Sequence, residues 1–142
     1  MNIYFDTSFL ISLYSLDINS GAAAHAMQGS RGSRFVSTLG ELEVVNALGL
    51  RVFRKQVSPT HAESSLGDFE QDLQNGIFQL RPLSDLVFER ARQLSRQTTA
   101  RFGTRTADIL HVAAALELGA EFLYSFDKQQ RKLAKAVQLK VN

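Results

Sequence analysis

The sequence predicts an α/β fold with a central, mostly parallel sheet of 4–5 strands flanked by helices. Short β-branched and aromatic runs alternate with longer segments of helical period, the pattern of strands joined by crossover helices. The 142 residues, 44% of them hydrophobic, contain no repeat, low-complexity tract or linker, so residues 1–142 are expected to form a single domain.

Each element has its own signal. Residues 2–5 form a β-branched and aromatic run, and 7–16 follow with apolar Phe9, Leu10, Leu13 and Leu16 at helical spacing. Residues 22–27 can form a short helix, and 34–37 a second strand. Thr38 and Glu41 have capping-box spacing and open a helix whose expected core stripe is Leu42, Val45, Gly49, Val52 and Phe53. Ser58-Pro59 starts another helix, which runs to residue 74 and is stopped by Asn75-Gly76. A strand is expected at 77–81. Pro82 and Ser84 introduce a long helix to residue 99, and a polar link spans 98–106. Residues 107–118 form an apolar helix closed by Gly119. A strand at 121–126, a basic helix at 127–136 and a short strand at 138–141 complete the chain.

Composition narrows the function. The absence of cysteine excludes disulfide scaffolds and cysteine-ligated metal centres. The most apolar stretch, 112–116, is interrupted by His111 and Glu117 and falls short of the roughly 20 residues a membrane span needs. Asp6 sits where the apolar core of a signal peptide would lie, so a cytoplasmic location is expected. Sixteen basic against fourteen acidic residues give a net charge of +2, but the bases are unevenly spread. Arg90, Arg92, Arg96, Arg101 and Arg105 form one run without an acid, and Lys128, Arg131, Lys132 and Lys135 another. These are solvated faces or phosphate contacts.

Four acids stand where ligands bind in open α/β sheets, beyond the carboxyl ends of strands. Asp6 and Asp127 each follow a strand, Asp108 falls in the first turn of the apolar helix, and Glu43 lies one turn into the helix after the second strand. Helix capping accounts for each aspartate singly, and Asp127 with Gln130 has capping-box spacing. Glu41 is taken as the partner of Thr38 and left out. If the four converge, repulsion becomes large, since two carboxylates about 4 Å apart repel by about 4 kcal/mol at an effective dielectric of 20. A hard divalent cation, Mg²⁺ or Mn²⁺, is the natural neutraliser for oxygen donors, and such a centre suits phosphodiester cleavage.

The motifs around these acids resemble those of the PIN-domain ribonucleases, and most closely the VapC-like toxins of toxin–antitoxin pairs. Ile3-Tyr4-Phe5-Asp6-Thr7-Ser8-Phe9-Leu10 is similar to the first strand, turn and helix of that family. Glu43-Val44-Val45-Asn46-Ala47-Leu48 is similar to its second acidic motif. Arg105-Thr106-Ala107-Asp108-Ile109-Leu110-His111 resembles the third, and Ser125-Phe126-Asp127-Lys128 the last. Ile109 stands where a small residue is common, and Ala107 where a larger apolar one is.

The resemblance implies a three-layer PIN-like fold and Mg²⁺- or Mn²⁺-dependent endoribonuclease activity leaving 5′-phosphate and 3′-hydroxyl ends. It also implies a small antitoxin partner and a homodimer. Asp6, Glu43 and Asp108 are then the principal metal-binding carboxylates, with Asp127 completing the site. Thr7, Ser8 and Ser125 would orient a carboxylate or a water, or merely cap turns. Arg105 and Lys128 are the candidates to touch RNA. His111, one turn after Asp108, is expected to be a packed, hydrogen-bonded histidine rather than a ligand. The rival reading is a non-catalytic nucleic-acid- or protein-binding module whose aspartates only cap helices.

Overall fold

The computed structural model describes residues 1–142 as five strands and seven helices. In chain order they are β1 (Asn2–Phe5), α1 (Thr7–Tyr14), α2 (Ser20–Gly29), β2 (Ser33–Ser37), α3 (Thr38–Phe53) and α4 (Pro59–Gln74). Then come β3 (Gln79–Arg81), α5 (Asp85–Phe102), α6 (Thr106–Glu117), β4 (Phe122–Tyr124), α7 (Lys128–Ala136) and β5 (Lys140–Val141). The strands form one sheet in the order β3-β2-β1-β4-β5. Every pairing is parallel, with Tyr4 opposite Phe35 on one side and Leu123 on the other.

Side-chain alternation along the strands builds two cores. Ile3 and Phe5 of β1 and Val36 of β2 face one layer, where they pack with Phe9, Val44, Leu48, Phe69 and Phe78 against α1 to α4. Tyr4, Phe35 and Leu123 face the other, against Val87, Leu94, Val112 and Leu133 of α5, α6 and α7. Burial on both faces of the central strand β1 explains why it reads as a continuous apolar run. The sequence reverses direction across the sheet between β1 and β4, so their carboxyl ends flank a topological switch point.

Several expectations change at the level of single elements. Helix α3 begins at Thr38 as expected, but its cap is Ser37, whose side chain accepts the Gly40 N–H, and not Thr38. Its inward face is also different. Gly40, Val44 and Leu48 are buried at a spacing of four, whereas Leu42 is 65% and Phe53 84% exposed. Gly40 sits against the end of β2, where a Cβ would lie at the ordinary contact distance of 3.4 Å from Val36 Cγ1. The inward face is the one carrying Val44 and Leu48, which join the core of Phe9 and Phe69. Helix α5 runs on to Phe102, through much of the expected polar link, because Gly103 supplies the left-handed C-cap at φ 64°. Helix α2 spans ten residues, and β3, β4 and β5 are shorter than expected. No helix is long and apolar enough to cross a membrane.

Two leucines on α3 test its orientation. Leu48→Ala should cost about 2–5 kcal/mol in urea unfolding, and Leu42→Ala should stay within about 0.5 kcal/mol of the parent.

Candidate active site

The carboxyl end of β1 delivers Asp6 into the switch point, where it is 2% exposed. Its side chain caps α1 by accepting the Phe9 N–H at 2.9 Å. Three further donors converge on the same carboxylate. Ser8 Oγ donates at 2.8 and 3.0 Å, Ser125 Oγ at 2.5 Å and Gln130 Nε2 at 2.8 Å. The two serines are themselves aimed by backbone: Ser8 Oγ accepts the Phe126 N–H, and Ser125 Oγ accepts the Asp127 N–H. Burial pushes the Asp6 carboxyl above its usual range, against the charge of His111 and these hydrogen bonds.

Glu43 reaches the site from α3. Thr7 Oγ1 donates to its Oε1 at 2.8 Å, and His111 Nε2 contacts the same oxygen. Burial works against the charge of Glu43, but the hydrogen bond and charge of His111, together with Thr7, outweigh it and hold the carboxyl low. His111 is buried and fixed from behind, since its Nδ1 lies 2.7 Å from Tyr4 Oη, which in turn lies 2.8 Å from Ser37 Oγ. An ionised carboxylate only accepts, so His111 Nε2–H donates to Glu43.

Asp108 opens α6 and Asp127 caps α7 through the Gln130 N–H at 2.8 Å. Burial and then the charge of Asp127 push Asp108 above its usual range, while Arg105, with Nε 3.5 Å from Asp108 Oδ2, pulls it back. All four acids line one open cleft of about 550 Å³, together with Thr7, Ser8, His111 and Arg105. Lys128 is exposed beside it and does not form its wall.

The motif order now has a spatial counterpart, and comparison with known proteins gives it a family. A model of the PIN domain matches residues 3–136. The chain belongs to the PIN-domain family. Its fold is similar to that of VapC20 from Mycobacterium tuberculosis, a sarcin–ricin loop cleaving toxin, with a TM-score of 0.73, 17% identity and 94% of each chain covered. It also resembles FitAcB from Neisseria gonorrhoeae (TM-score 0.69, 15% identity, 98% of this chain and 95% of that one). A toxin–antitoxin complex from Klebsiella pneumoniae matches at TM-score 0.65 and 17% identity, over 91% of this chain and 89% of that one. No curated protein matches the sequence.

In this PIN domain, capping and cleft lining coexist in the same side chains, so the two readings of Asp6 and Asp127 do not compete. The donor set suits a hard divalent cation in kind, being four carboxylates with a repulsion between Asp108 and Asp127 that Arg105 only partly relieves. As the side chains stand, no three acid or imidazole groups are close enough to one point to hold an ion. The sequence did not expose Gln130, Tyr4 or Ser37 as site supports. Gln130 reaches Asp6 across 124 residues, and only its spacing from Asp127 marked it at all.

The buried charge of Asp6 has a pH signature. Its raised pKa means that the folded state binds this proton more tightly than the unfolded state, so its contribution to stability falls as pH rises from about 3.9 toward the folded value. Asp6→Asn should lose that slope and be as stable as the parent, or more so, in metal-free buffer at pH 7, measured by thermal melts across pH 4–8. A lower melting temperature throughout would show that the hydrogen bonds outweigh the desolvation.

Proposed function

We propose that this PIN domain is a metal-dependent endoribonuclease that cleaves RNA phosphodiester bonds and acts as the toxin of a toxin–antitoxin pair. The observation that carries this reading is the line-up of Asp6, Glu43, Asp108 and Asp127, from four separate elements, along one open cleft at the switch point. The structural likeness to an RNA-cleaving toxin supports the choice of substrate.

The residues that would hold Mg²⁺ or Mn²⁺ are these four acids. Such an ion offsets phosphate charge and lowers the pKa of water. The rest of the work falls to the chain itself. Ser8, Ser125 and Gln130 keep Asp6 in one orientation. Thr7 and His111 keep Glu43 ionised and turned toward the cleft. Arg105, 81% exposed at the rim, can take a phosphate oxygen of the substrate. Of the two basic runs, much is engaged elsewhere: Arg90 pairs with Glu117, while Arg101 and Lys132 lie over the Phe102 ring.

A protein partner is supported by the outward face of α3, where Leu42, Val45 and Phe53 are exposed beside the cleft. An apolar stripe at helical spacing suits a partner helix or a second copy of the chain. Relatives of this fold have been crystallised as toxin–antitoxin complexes and bound to DNA, which supports a small antitoxin as the occupant.

Purified protein incubated with single-stranded RNA should cleave it in Mg²⁺ or Mn²⁺ and not in chelator. Asp108→Asn should lose at least a hundredfold in rate while keeping its circular dichroism spectrum. Either ion should also raise the melting temperature of the parent but not of the Asp6→Asn, Asp108→Asn double variant. Undiminished cleavage by that folded double variant would overturn the site assignment. The absence of any metal-dependent cleavage or melting shift in the parent would favour the capping-only module.

A further inference from the structure

The cleft is longer than the acidic site needs. It continues along α3, whose residues Glu43, Ala47, Leu50, Arg51 and Arg54 form one lining face at positions i, i+4, i+7, i+8 and i+11. At about 1.5 Å per residue, Arg54 stands roughly 16 Å from Glu43 along the helix axis. The far end is chemically distinct. Arg54 is exposed and enters no ion pair, and the side-chain amides of Asn19 and Gln56 make no hydrogen bond within the chain. A side pocket of about 260 Å³ opens there, walled by Leu16 and Val57 and edged by Asp17, Arg51 and Gln56.

This end is rigid. Arg51 donates to Ser15 Oγ at 3.0 Å and to Asp17 Oδ2 at 3.2 Å, tying the α1–α2 turn to α3. Asp17 also accepts from Ser12 Oγ and the Asn19 N–H. Helix α3 closes in a Schellman motif, with the Gln56 N–H on Arg51 O and the Lys55 N–H on Val52 O. Lys55 takes the left-handed conformation at φ 58°, where glycine is usual. The backbone holding Arg54 and Gln56 is thus fixed despite a residue that resists its conformation.

We propose that the C-terminal end of α3 is a subsite for RNA nucleotides flanking the scissile bond, with Arg54 on a backbone phosphate and Gln56 reading a base seated between Leu16 and Val57. This rests on the ribonuclease reading of the acidic site. The pocket's apolar walls suit the face of a splayed base, and an amide offers one donor and one acceptor to its edge. Arg51, already committed to Asp17, braces the wall. A stacked nucleotide rises about 3.4 Å and a splayed one spans more, so a separation of roughly 16 Å needs more than one nucleotide step. A dinucleotide therefore reaches one end only.

The two roles separate experimentally. Binding of a fluorescent RNA decamer and of a dinucleotide is measured by anisotropy in chelator across a salt series, and cleavage positions are mapped on a randomised RNA in Mn²⁺. Arg54→Ala should weaken decamer binding about tenfold at low salt and reduce the log K against log salt slope by about 0.7. Arg54→Lys should restore the slope, and the dinucleotide, which engages one end only, should bind the parent more weakly than the decamer does. Gln56→Ala should keep the slope but relax base preference at one flanking position. Arg31→Ala, at the opposite rim of the sheet, controls for net charge. An Arg54→Ala slope equal to that of the parent, or an equal loss in Arg31→Ala, overturns the phosphate contact, and unchanged base preference in Gln56→Ala overturns the base pocket. A parent protein that neither binds nor cleaves RNA would instead overturn the underlying ribonuclease reading.

Discussion

A carboxylate with almost no exposure, at the end of the central strand, is the constraint around which this molecule is organised. Removing an isolated ion from water costs several kcal/mol even after relaxation, and Asp6 is 2% exposed. The cost is offset by donors from α1, from the turn after β4 and from α7. Those donors can meet only if β1 and β4 are neighbours with their carboxyl ends aligned, as their parallel register provides. The β1–β4 pairing, the Ser8 and Ser125 turns and the seating of α7 all serve that one group.

Glu43 is held by a second, weaker version of the same device. A chain of hydroxyls and one imidazole runs from the Gly40 amide through Ser37, Tyr4 and His111 to its carboxylate. It crosses from one layer to the other over the strand ends, joining the core that contains Tyr4 to the helix that carries Glu43. The acidic cleft is therefore stiff where its supports are buried, at Asp6 and Glu43. At Asp108 and Asp127 the balance is different, since mutual repulsion is set against Arg105.

Much of this was legible in the sequence because it depends on local chemistry. Pro59, Gly76, Gly103 and Gly119 mark helix ends through backbone geometry that few other residues favour, and Pro59, Gly76 and Gly119 are boundary signals in the sequence itself. Lys55 and Gln138 end helices in the same left-handed way without any sequence mark. The acids were legible as a group because they sit at strand and helix ends in a familiar order. The inward face of α3 was not. Its apolar residues Leu42, Val45 and Phe53 lie at helical spacing on the outside, while Gly40, Val44 and Leu48 turn inward. Periodicity reports that a face is apolar, not what covers it. Gln130 and Tyr4 escaped for another reason, since each acts across more than thirty residues and neither type advertises a partner.

The separation of the Asp6 donors along the chain also has a temporal meaning. Ser125 and Gln130 lie 119 and 124 residues after the carboxylate they hold. At synthesis rates of about 5–20 residues per second, Asp6 is made roughly 6–24 s before those groups exist. During that interval β1 has no β4 to pair with, and its acid remains hydrated. Assembly of the cleft is thus deferred until α7 has been made, and a nascent chain carries the first acidic motifs well before the cleft that unites them.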